Sequence, residues 1–333
     1  MKFFFPDSQD LVDPSFDFQT EARSEHRVRH RDDQYAHERF DVPPYDGILV
    51  SKAIVDGLSV SAGKYTLAQR HRLLREGVRS FFRLDARPET RVLKTMGDCG
   101  AFSYVREKRP PFTVESVVEF YADCRFDFGI SVDHVILGYD AEADRDPARV
   151  NPNFAERQSI TLELASQFRR LHQTRGCSFI PMGVAQGWSP GSYARSVTAL
   201  QAMAYEYIAL GGMVPLKTKE ILESLAMVNE VRDPKVHLHL LGVTRTEEVK
   251  RFAEYGVDSF DSTSPLRQAF KDDTDNYYTL DRTYVAVRVP QVEGNVKLQQ
   301  RIRAGQVDHD RARCCEKKCL RLLEEYDVGL AKL

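Results

Sequence analysis

Short apolar segments rich in branched side chains alternate along most of the chain with longer segments in which apolar residues recur every three or four positions. This rhythm is typical of repeated βα units, whose parallel strands pair at the centre while the helices cover them. The strand-like segments begin at Gly47, Arg79, Leu93, Phe128, Ser178, Tyr207, Val236 and Val257. Because eight strands are the number that closes a barrel, the pattern predicts an α/β fold, a (β/α)8 TIM barrel.

The two ends of the chain do not follow this rhythm. Residues 1–45 are polar and include a charge-dense stretch between Glu21 and Arg39, which predicts an N-terminal arm or a peripheral helix. Residues 291–333 are basic with helical periodicity, which predicts a C-terminal helical tail. The predicted division is therefore an arm at 1–45, a catalytic barrel at 46–290 and a tail at 291–333.

Composition narrows the class of protein without identifying a partner. Hydrophobic residues make up 42% of the chain and charged residues 29%, as in globular proteins. The net charge of −2 indicates no overall attraction to a polyanion. The opening MKFFFP has too few apolar residues for a signal peptide or a membrane span, and the six cysteines include no CxxC pair. We therefore expect reduced thiols and a cytoplasmic protein without a membrane partner.

Polar residues and glycines follow the predicted strands, at the positions where barrel enzymes place their active sites. They are Asp98 in GDCGAF, Asp133 in SVDHV, Gln186 in GVAQGW, Gly211 and Gly212 in IALGGM, and Asp261 in GVDSFDSTSP. Because the C-terminal ends of barrel strands surround one pocket, we expect these residues to lie together. Taken singly, each could instead be a helix cap, a core amide or a plain turn.

Retaining glycosyl transfer requires two carboxyl groups that face each other across a sugar. One attacks the anomeric carbon, and the other protonates the leaving group and later deprotonates the incoming one. Asp261 and Asp98 are the candidate pair. Asp133 lies in an apolar segment, where an unpaired charge is costly, so we expect it to be paired or functional. Phe102, just past Asp98, could stack on a purine.

Six motifs in order resemble those of the tRNA-guanine transglycosylases, which exchange guanine for a 7-deazaguanine base. GDCGAF is similar to the family's DSGGF segment, SVDHV falls at its second aspartate motif, and GVAQGW resembles GxxQGG. IALGGM resembles IGGL, LHLLGV resembles YLMGVG, and GVDSFDSTSP resembles GVDxFDCVxPTR. Together the six pieces span roughly residues 90–265.

The resemblance implies a role for each candidate residue. Asp261 would be the nucleophile and Asp98 the general acid and base. The residues implied to bind the base, with Phe102 stacking on it and the glycines and methionine acting through their backbone, are Phe102, Asp133, Gln186, Gly211, Gly212 and Met213.

Two N-terminal segments, MKFFFPDSQDLVDP and PYDGILVSKAIVDG, resemble the branch of this superfamily that acts on DNA. That branch inserts 7-cyano-7-deazaguanine (preQ0) into DNA. The resemblance therefore implies DNA as the polymer, with tRNA as the alternative, and a 7-deazaguanine as the incoming base. It also implies association with other DNA-modification proteins.

The family's tRNA enzymes carry a structural zinc ion bound by three cysteines spaced CxCxxC and a histidine further along the chain. Here Cys314, Cys315 and Cys319 have no histidine after them, and His309 precedes them. Adjacent cysteines chelate one ion poorly, so zinc is not favoured and no cofactor is expected.

Two further classes of function compete with glycosyl transfer. His237 and His239 alternate on a predicted strand and, with Asp261, could bind a metal as in amidohydrolase-like barrels. Those enzymes place their paired histidines on the first strand, and GILVSKAIVDG has none. A non-catalytic barrel that binds nucleic acid is the third possibility, which the presence of both Asp98 and Asp261 disfavours.

Overall fold

The computed structural model of the chain describes residues 1–7, 9–17, 22–58, 64–243, 245–271, 274–279, 281–285 and 289–332. Within these residues, eight parallel strands close into a barrel. They are β1 (Lys2–Pro6), β2 (Gly47–Ser51), β3 (Lys94–Asp98), β4 (Phe128–Ile130), β5 (Ile180–Ala185), β6 (Tyr207–Leu210), β7 (His237–Leu240) and β8 (Val257–Asp261). Each strand pairs with the next along the chain, and β8 pairs with β1. The predicted TIM barrel is confirmed.

Alternating side chains of the strands fill the barrel. Leu49 and Met96 belong to an interior cluster that also contains Phe4. The Phe4 ring fits because Gly47 on the neighbouring strand has no side chain: an added Cβ would lie 2.5 Å from that ring. The next inward positions, two residues beyond Leu49 and Met96, are Ser51 and Asp98. The apolar interior therefore gives way to polar groups at the C-terminal end of the barrel.

The helices between the strands pack on the outside of the barrel and follow local sequence signals. Helix Pro152–Arg175 starts with proline, is capped by the Asn151 side chain and ends at Gly176 with a φ of 59°. The described α-helices are Ala36–Arg39, Lys52–Asp56, Leu67–Glu76, Val78–Phe81, Val114–Cys124, Pro152–Arg175, Pro190–Ala202, Thr218–Val231, Val249–Glu254, Ser264–Lys271, Val296–Arg303 and His309–Asp327. Short 3-10 helices span Pro88–Thr90, Ala101–Tyr104, Ala141–Asp144, Pro147–Arg149 and Thr246–Glu248.

The strand predicted at Arg79 is wrong, because the segment forms the short helix Val78–Phe81. Its apolar run is buried, with Phe82 fully enclosed and Phe81 2% exposed. Val78, Phe81 and Phe82 are spaced three and four residues apart, which places them on one face of a helical turn. Gly77, at a φ of 81°, separates this turn from helix Leu67–Glu76. The run is therefore apolar because the turn packs inward.

The missing eighth strand is Lys2–Pro6, which the sequence analysis placed in an N-terminal arm. It pairs with both β2 and β8 and completes the barrel. Phe3 stacks on Phe260 with ring centroids 5.2 Å apart, and Phe5 stacks on Tyr45 at 5.3 Å. Three consecutive aromatic residues show no alternation, so periodicity could not reveal that Phe4 points inward while its neighbours point outward.

The described residues form two compact units. One comprises 1–14 and 28–265 and contains the whole barrel; the other comprises 15–27 and 266–333. Outside the barrel, Leu11–Val12 pairs with Gln34–Tyr35 in the first unit, and Tyr277–Tyr278 pairs with Thr283–Tyr284 in the second. Across the described ranges, no helix has both the length and the apolar character needed to cross a bilayer.

Candidate active site

The polar residues predicted to converge do follow strand ends at one face of the barrel. Asp98 and Asp261 are the last residues of β3 and β8. Gln186 and Gly211 come directly after β5 and β6, and Asp133 follows β4 by three residues. Because all barrel strands are parallel, these five positions lie at the same end of the barrel.

Asp98 carries a carboxyl group that is hard to ionise. Its pKa is raised to about 8, first by burial and then by the negative charges of Asp133 and Asp261. Backbone hydrogen bonds from Gly100 and Cys99 oppose the rise only in part. At neutral pH this carboxyl group therefore holds its proton and can give it to a leaving group. The three carboxyl groups are therefore close enough for their charges to act on one another.

Gly100 allows the turn after Asp98 to pass close to Ser51. Its φ of 83° is one that side-chain-bearing residues rarely adopt, and an added Cβ would lie 2.3 Å from the Ser51 hydroxyl oxygen. This glycine is followed by the 3-10 helix Ala101–Tyr104, where Phe102 is 61% exposed. An exposed aromatic ring four residues past Asp98 is available for stacking.

Asp261 is held by hydrogen-bond donors. Its carboxylate is 7% exposed, and Oδ1 accepts from the Gly242 N–H at 2.9 Å and from His239 Nε2 at 3.1 Å. Within the described residues, both hydrogen bonds to this carboxylate end on Oδ1. Its other oxygen, Oδ2, accepts no hydrogen bond from the described residues.

Asp133 lies in a buried polar network rather than alone. Gln186 Nε2 donates to Asp133 Oδ2 at 2.7 Å, and the Cys99 thiol donates to Oδ1 at 3.3 Å. The Tyr104 hydroxyl lies 3.1 Å from the Cys99 sulfur and donates to the Asp133 carbonyl oxygen at 3.2 Å. Burial raises the pKa of Asp133 to about 6, with the hydrogen bonds from Gln186 and Cys99 opposing it. The carboxylate is therefore mostly ionised at neutral pH and can accept N–H donors of a ligand.

The orientation of the Gln186 amide follows from its second partner. The Ile136 N–H, which can only donate, points at Gln186 Oε1 at 3.0 Å. The amide nitrogen must then face Asp133, as observed. A Cβ on Gly211 would lie 2.2 Å from that nitrogen, and one on Gly212 would lie 2.3 Å from the Ile136 carbonyl oxygen. Both glycines are thus required for the close approach of this amide.

The backbone of Gly211 and Gly212 is predicted to act on the base, but the Gly211 N–H is not free to do so. The Gly211 N–H donates to the Ala185 carbonyl oxygen at 3.0 Å, because strand pairing continues one residue past β5 and β6. The Gly211 carbonyl oxygen accepts from the Tyr193 hydroxyl at 2.9 Å. Met213 is fully buried in the outer core, so its side chain is not available to a ligand.

A barrel that presents a protonated carboxyl group and a hydrogen-bonded carboxylate at one end of its strands is an arrangement suited to an enzyme that transfers a glycosyl group. The queuine tRNA-ribosyltransferase family model matches residues 84–317. This chain belongs to that family.

Comparison with curated proteins gives relatives of two kinds. The chain is 51% identical over 334 residues to a DNA-guanine transglycosylase of Salmonella montevideo, a match that covers all of this chain and 78% of the relative. It is 32% identical over 115 residues to a queuine tRNA-ribosyltransferase of Stenotrophomonas maltophilia (strain R551-3), covering 33% of this chain and 30% of the relative. A queuine tRNA-ribosyltransferase of Xanthomonas campestris pv. campestris (strain B100) is 30% identical over 115 residues.

The metal-dependent alternative does not fit the geometry. His237 is half exposed, and its Nδ1 contacts Asp258 at 2.6 Å while its ring stacks on Tyr207. His239 instead contacts Asp261. Nowhere in the described ranges are three or more histidine, cysteine or acidic side chains grouped to hold a metal ion.

The tail cysteines do not match the family's zinc site either. All six cysteines of the chain are free thiols, and Cys314, Cys315 and Cys319 are exposed on helix His309–Asp327. His309 Nε2 lies 2.9 Å from a Glu293 carboxylate oxygen. Adjacent positions on a helix point about 100° apart, so these side chains do not converge on one ion.

Three residues near the candidate pair were missed or misread in the sequence. His239 has a place in the sequence analysis only in the metal-dependent alternative, whereas its partner in the structure is the candidate nucleophile. Cys99 stands where the family's DSGGF segment has serine, and its thiol supports Asp133. Ser51 was not singled out, although it is buried opposite Asp98 on the neighbouring strand. Alternate residues of a strand point to the same side. Once the barrel register is known, this alternation identifies Ser51 and His239 as inward-facing residues.

Proposed function

We propose that this protein exchanges guanine in DNA for a 7-deazaguanine base such as preQ0, through a covalent aspartyl-sugar intermediate. The observation that carries the proposal is that Asp98 and Asp261 end two strands at the same end of the barrel, one carboxyl group kept protonated and the other held by two donors. The preference for DNA over tRNA is supported by the full-length likeness to a DNA-guanine transglycosylase, against a likeness over 33% of the chain for a tRNA enzyme.

In the first half of the reaction, Asp261 Oδ2 attacks C1′ of a guanosine nucleotide. A bond forms between Oδ2 and C1′ while the bond between C1′ and guanine N9 breaks, through an oxocarbenium-like transition state. The electron pair of the broken bond passes to N9, and Asp98 supplies the proton that neutralises the leaving guanine. The products are free guanine and a sugar ester of Asp261.

In the second half, a 7-deazaguanine occupies the same base pocket. The ionised Asp98 takes the N9 proton of this base, and N9 attacks C1′. The ester bond breaks, and its electron pair returns to the Asp261 carboxylate. Because one glycosidic bond is exchanged for another, the sequence of steps consumes neither ATP nor a redox equivalent.

Recognition of the base is assigned to the network around Asp133. Guanine and 7-deazaguanine share an edge with N–H donors beside a carbonyl acceptor. An ionised Asp133 would accept from those N–H groups, Gln186 and the backbone at Gly212 and Met213 would complete the edge, and Phe102 would cover one face. Gly211 would contribute by lacking a side chain beside Gln186.

The polymer must present its nucleotide outside a base stack, because C1′ cannot be reached within a duplex. We therefore expect base flipping, or other DNA-modification proteins that open the duplex. We place the reaction in the cytoplasm, where the free thiols would stay reduced.

The test is to incubate the purified chain with radiolabelled preQ0 or guanine and either plasmid DNA or tRNA. Label is expected in DNA with the wild-type chain and in neither polymer with Asp261→Asn. Label in tRNA alone would replace DNA by tRNA as the substrate. No incorporation into either polymer would contradict base exchange.

A further inference from the structure

A buried hydrogen-bonded chain ends at the candidate nucleophile. Ser259 Oγ lies 2.8 Å from His239 Nδ1, and His239 Nε2 lies 3.1 Å from Asp261 Oδ1. The imidazole ring is fully buried and makes an edge contact with the Phe4 ring, with centroids 6.0 Å apart. Ser259 and Asp261 occupy alternate positions of β8, so both face the same histidine of β7.

The partners of the ring determine where its proton lies. An ionised carboxylate can only accept, so Nε2 must carry the proton that faces Asp261. If the ring is neutral, Nδ1 accepts from the Ser259 hydroxyl; if it is charged, Nδ1 donates to the same oxygen. Either protonation state leaves Nε2 as a donor to Asp261 Oδ1.

We propose that His239 is a positioning residue that fixes the Asp261 carboxylate so that Oδ2 attacks C1′. This role rests on the proposed function. Gly242 supplies the second donor to Oδ1, from the turn after β7. With one oxygen tied by two donors on β7 and its turn, rotation of the carboxylate is restricted and Oδ2 faces the pocket. His239 keeps its proton throughout, and the electron pairs move as in the two half-reactions above.

The place of the ring in the barrel supports this role over metal binding. A cavity of about 260 Å³ at the N-terminal end of the barrel is bordered by His239, Ser259 and His237. The ring thus lies between this cavity and the candidate nucleophile. Among the described residues, Asp261 is the one acidic, histidine or cysteine side chain hydrogen-bonded to it. His237, two residues earlier on the same strand, borders the cavity but pairs with Asp258 instead.

The experiment measures the single-turnover rate at which the chain forms a covalent adduct with a guanine-containing oligonucleotide. His239→Leu removes the donor and is expected to slow adduct formation about 100-fold, since small misplacements of reacting groups have effects of this size. The apparent affinity for oligonucleotide should stay within about twofold. His239→Gln keeps an N–H donor at a similar reach and should recover much of the rate. His237→Gln is the matched control and should react like the wild-type chain.

A folded His239→Leu chain that forms the adduct at the wild-type rate would overturn the role of His239 while leaving the proposed function intact. An equally slow His239→Gln would also overturn it, because the donor would then not be the cause. A wild-type chain that forms no adduct would overturn the proposed function itself.

A second measurement does not depend on the folding of a variant. In a spectrum of the wild-type chain with ¹⁵N-labelled histidine, the buried His239 ring should carry a hydrogen-bonded proton on Nε2. A neutral ring protonated only on Nδ1 would overturn the proposal.

Discussion

Asp98 and Asp261 are the same side chain at the ends of two barrel strands, yet their surroundings differ in kind. The Asp98 carboxyl group is partly buried, and burial together with the charges of Asp133 and Asp261 raises its pKa to about 8. Asp261 faces donors, the Gly242 N–H and the His239 imidazole. One environment keeps a proton on the carboxyl group, and the other supplies two hydrogen-bond donors to one carboxylate oxygen.

Because the neighbours differ, one residue type can serve both as an acid and as a nucleophile at one end of the barrel. Pairs of acidic groups whose environments push their protonation apart are a recurring solution in enzymes that cleave glycosidic bonds. The assignment of roles to Asp98 and Asp261 therefore rests on their neighbours. Substituting Asp98, Asp261 or a neighbouring residue, or changing the pH, therefore tests the assignment.

The largest effect is expected for Asp261→Asn. An amide is a poor nucleophile, so base exchange should fall by more than about 10⁴-fold, as when other catalytic nucleophiles are removed. The fold should persist, because the amide oxygen can still accept from Gly242 and His239. Exchange kinetics and the melting temperature measure the two effects, and residual exchange near the wild-type rate would mean that Asp261 is not the nucleophile.

Asp98→Asn should reduce the rate of guanine release by about 10²- to 10⁴-fold, the usual contribution of a general acid. The amide cannot donate a proton to N9, although its shape is the same. The readout is release of guanine from an oligonucleotide in a single turnover. Unchanged release would assign the proton transfer to another group.

Asp133→Ala should weaken binding of the free base about 10- to 100-fold, the value of one or two hydrogen bonds to a charged group. Binding of the polynucleotide should change little, because it depends on phosphate contacts elsewhere. Equilibrium binding of preQ0 and of an oligonucleotide gives the two numbers. Equal losses of both would contradict a role confined to the base.

Adduct formation should depend on pH through Asp98. The proton is present below the raised pKa of about 8 and is lost above it, so the single-turnover rate should be level near neutral pH. Above about pH 8 it should fall by about tenfold per pH unit. The same profile measured with Asp98→Asn should lack this fall. A wild-type rate that stays level to pH 10 would show that Asp98 is not the proton donor.

The smallest effect concerns stability. The pKa of Asp98 is raised in the folded chain above its ordinary value, so the folded state binds this proton more tightly than the unfolded state does. Folding stability is therefore lost as the pH rises from the ordinary pKa of an aspartate to about 8. Asp98→Asn should raise the melting temperature by a few degrees at pH 9 and by less at pH 5. A gain that is larger at pH 5 would have the wrong sign.

Much of the site could be predicted from the sequence, because strand ends and motifs are local features. Asp98, Gln186 and Asp261 follow apolar strands, and parallel strands bring their ends together whatever the exact register. The strand count of eight was also correct, but one member was not. The apolar run after Arg79 is too short for its helical spacing to be recognised. Lys2–Pro6 shows no alternation of polar and apolar residues that would indicate a strand.

What the sequence could not supply is the identity of partners across strands. That His239 contacts Asp261, or that the Cys99 thiol supports Asp133, depends on pairings between residues 22 and 34 positions apart in the chain. Such contacts follow from register and inward direction, which are fixed only when the barrel closes. The raised pKa of Asp98 is likewise a property of three strand ends together.

The assignment of Asp261 as the nucleophile can be tested by locating the covalent bond to the sugar. The wild-type chain is mixed with a guanine-containing oligonucleotide without added base, quenched with acid and digested, and the modified peptide is sequenced by mass spectrometry. If Asp261 is the nucleophile, a sugar ester is expected on the peptide that contains Asp261, on that residue and on no other. An ester on Asp98 or Asp133 would contradict this assignment.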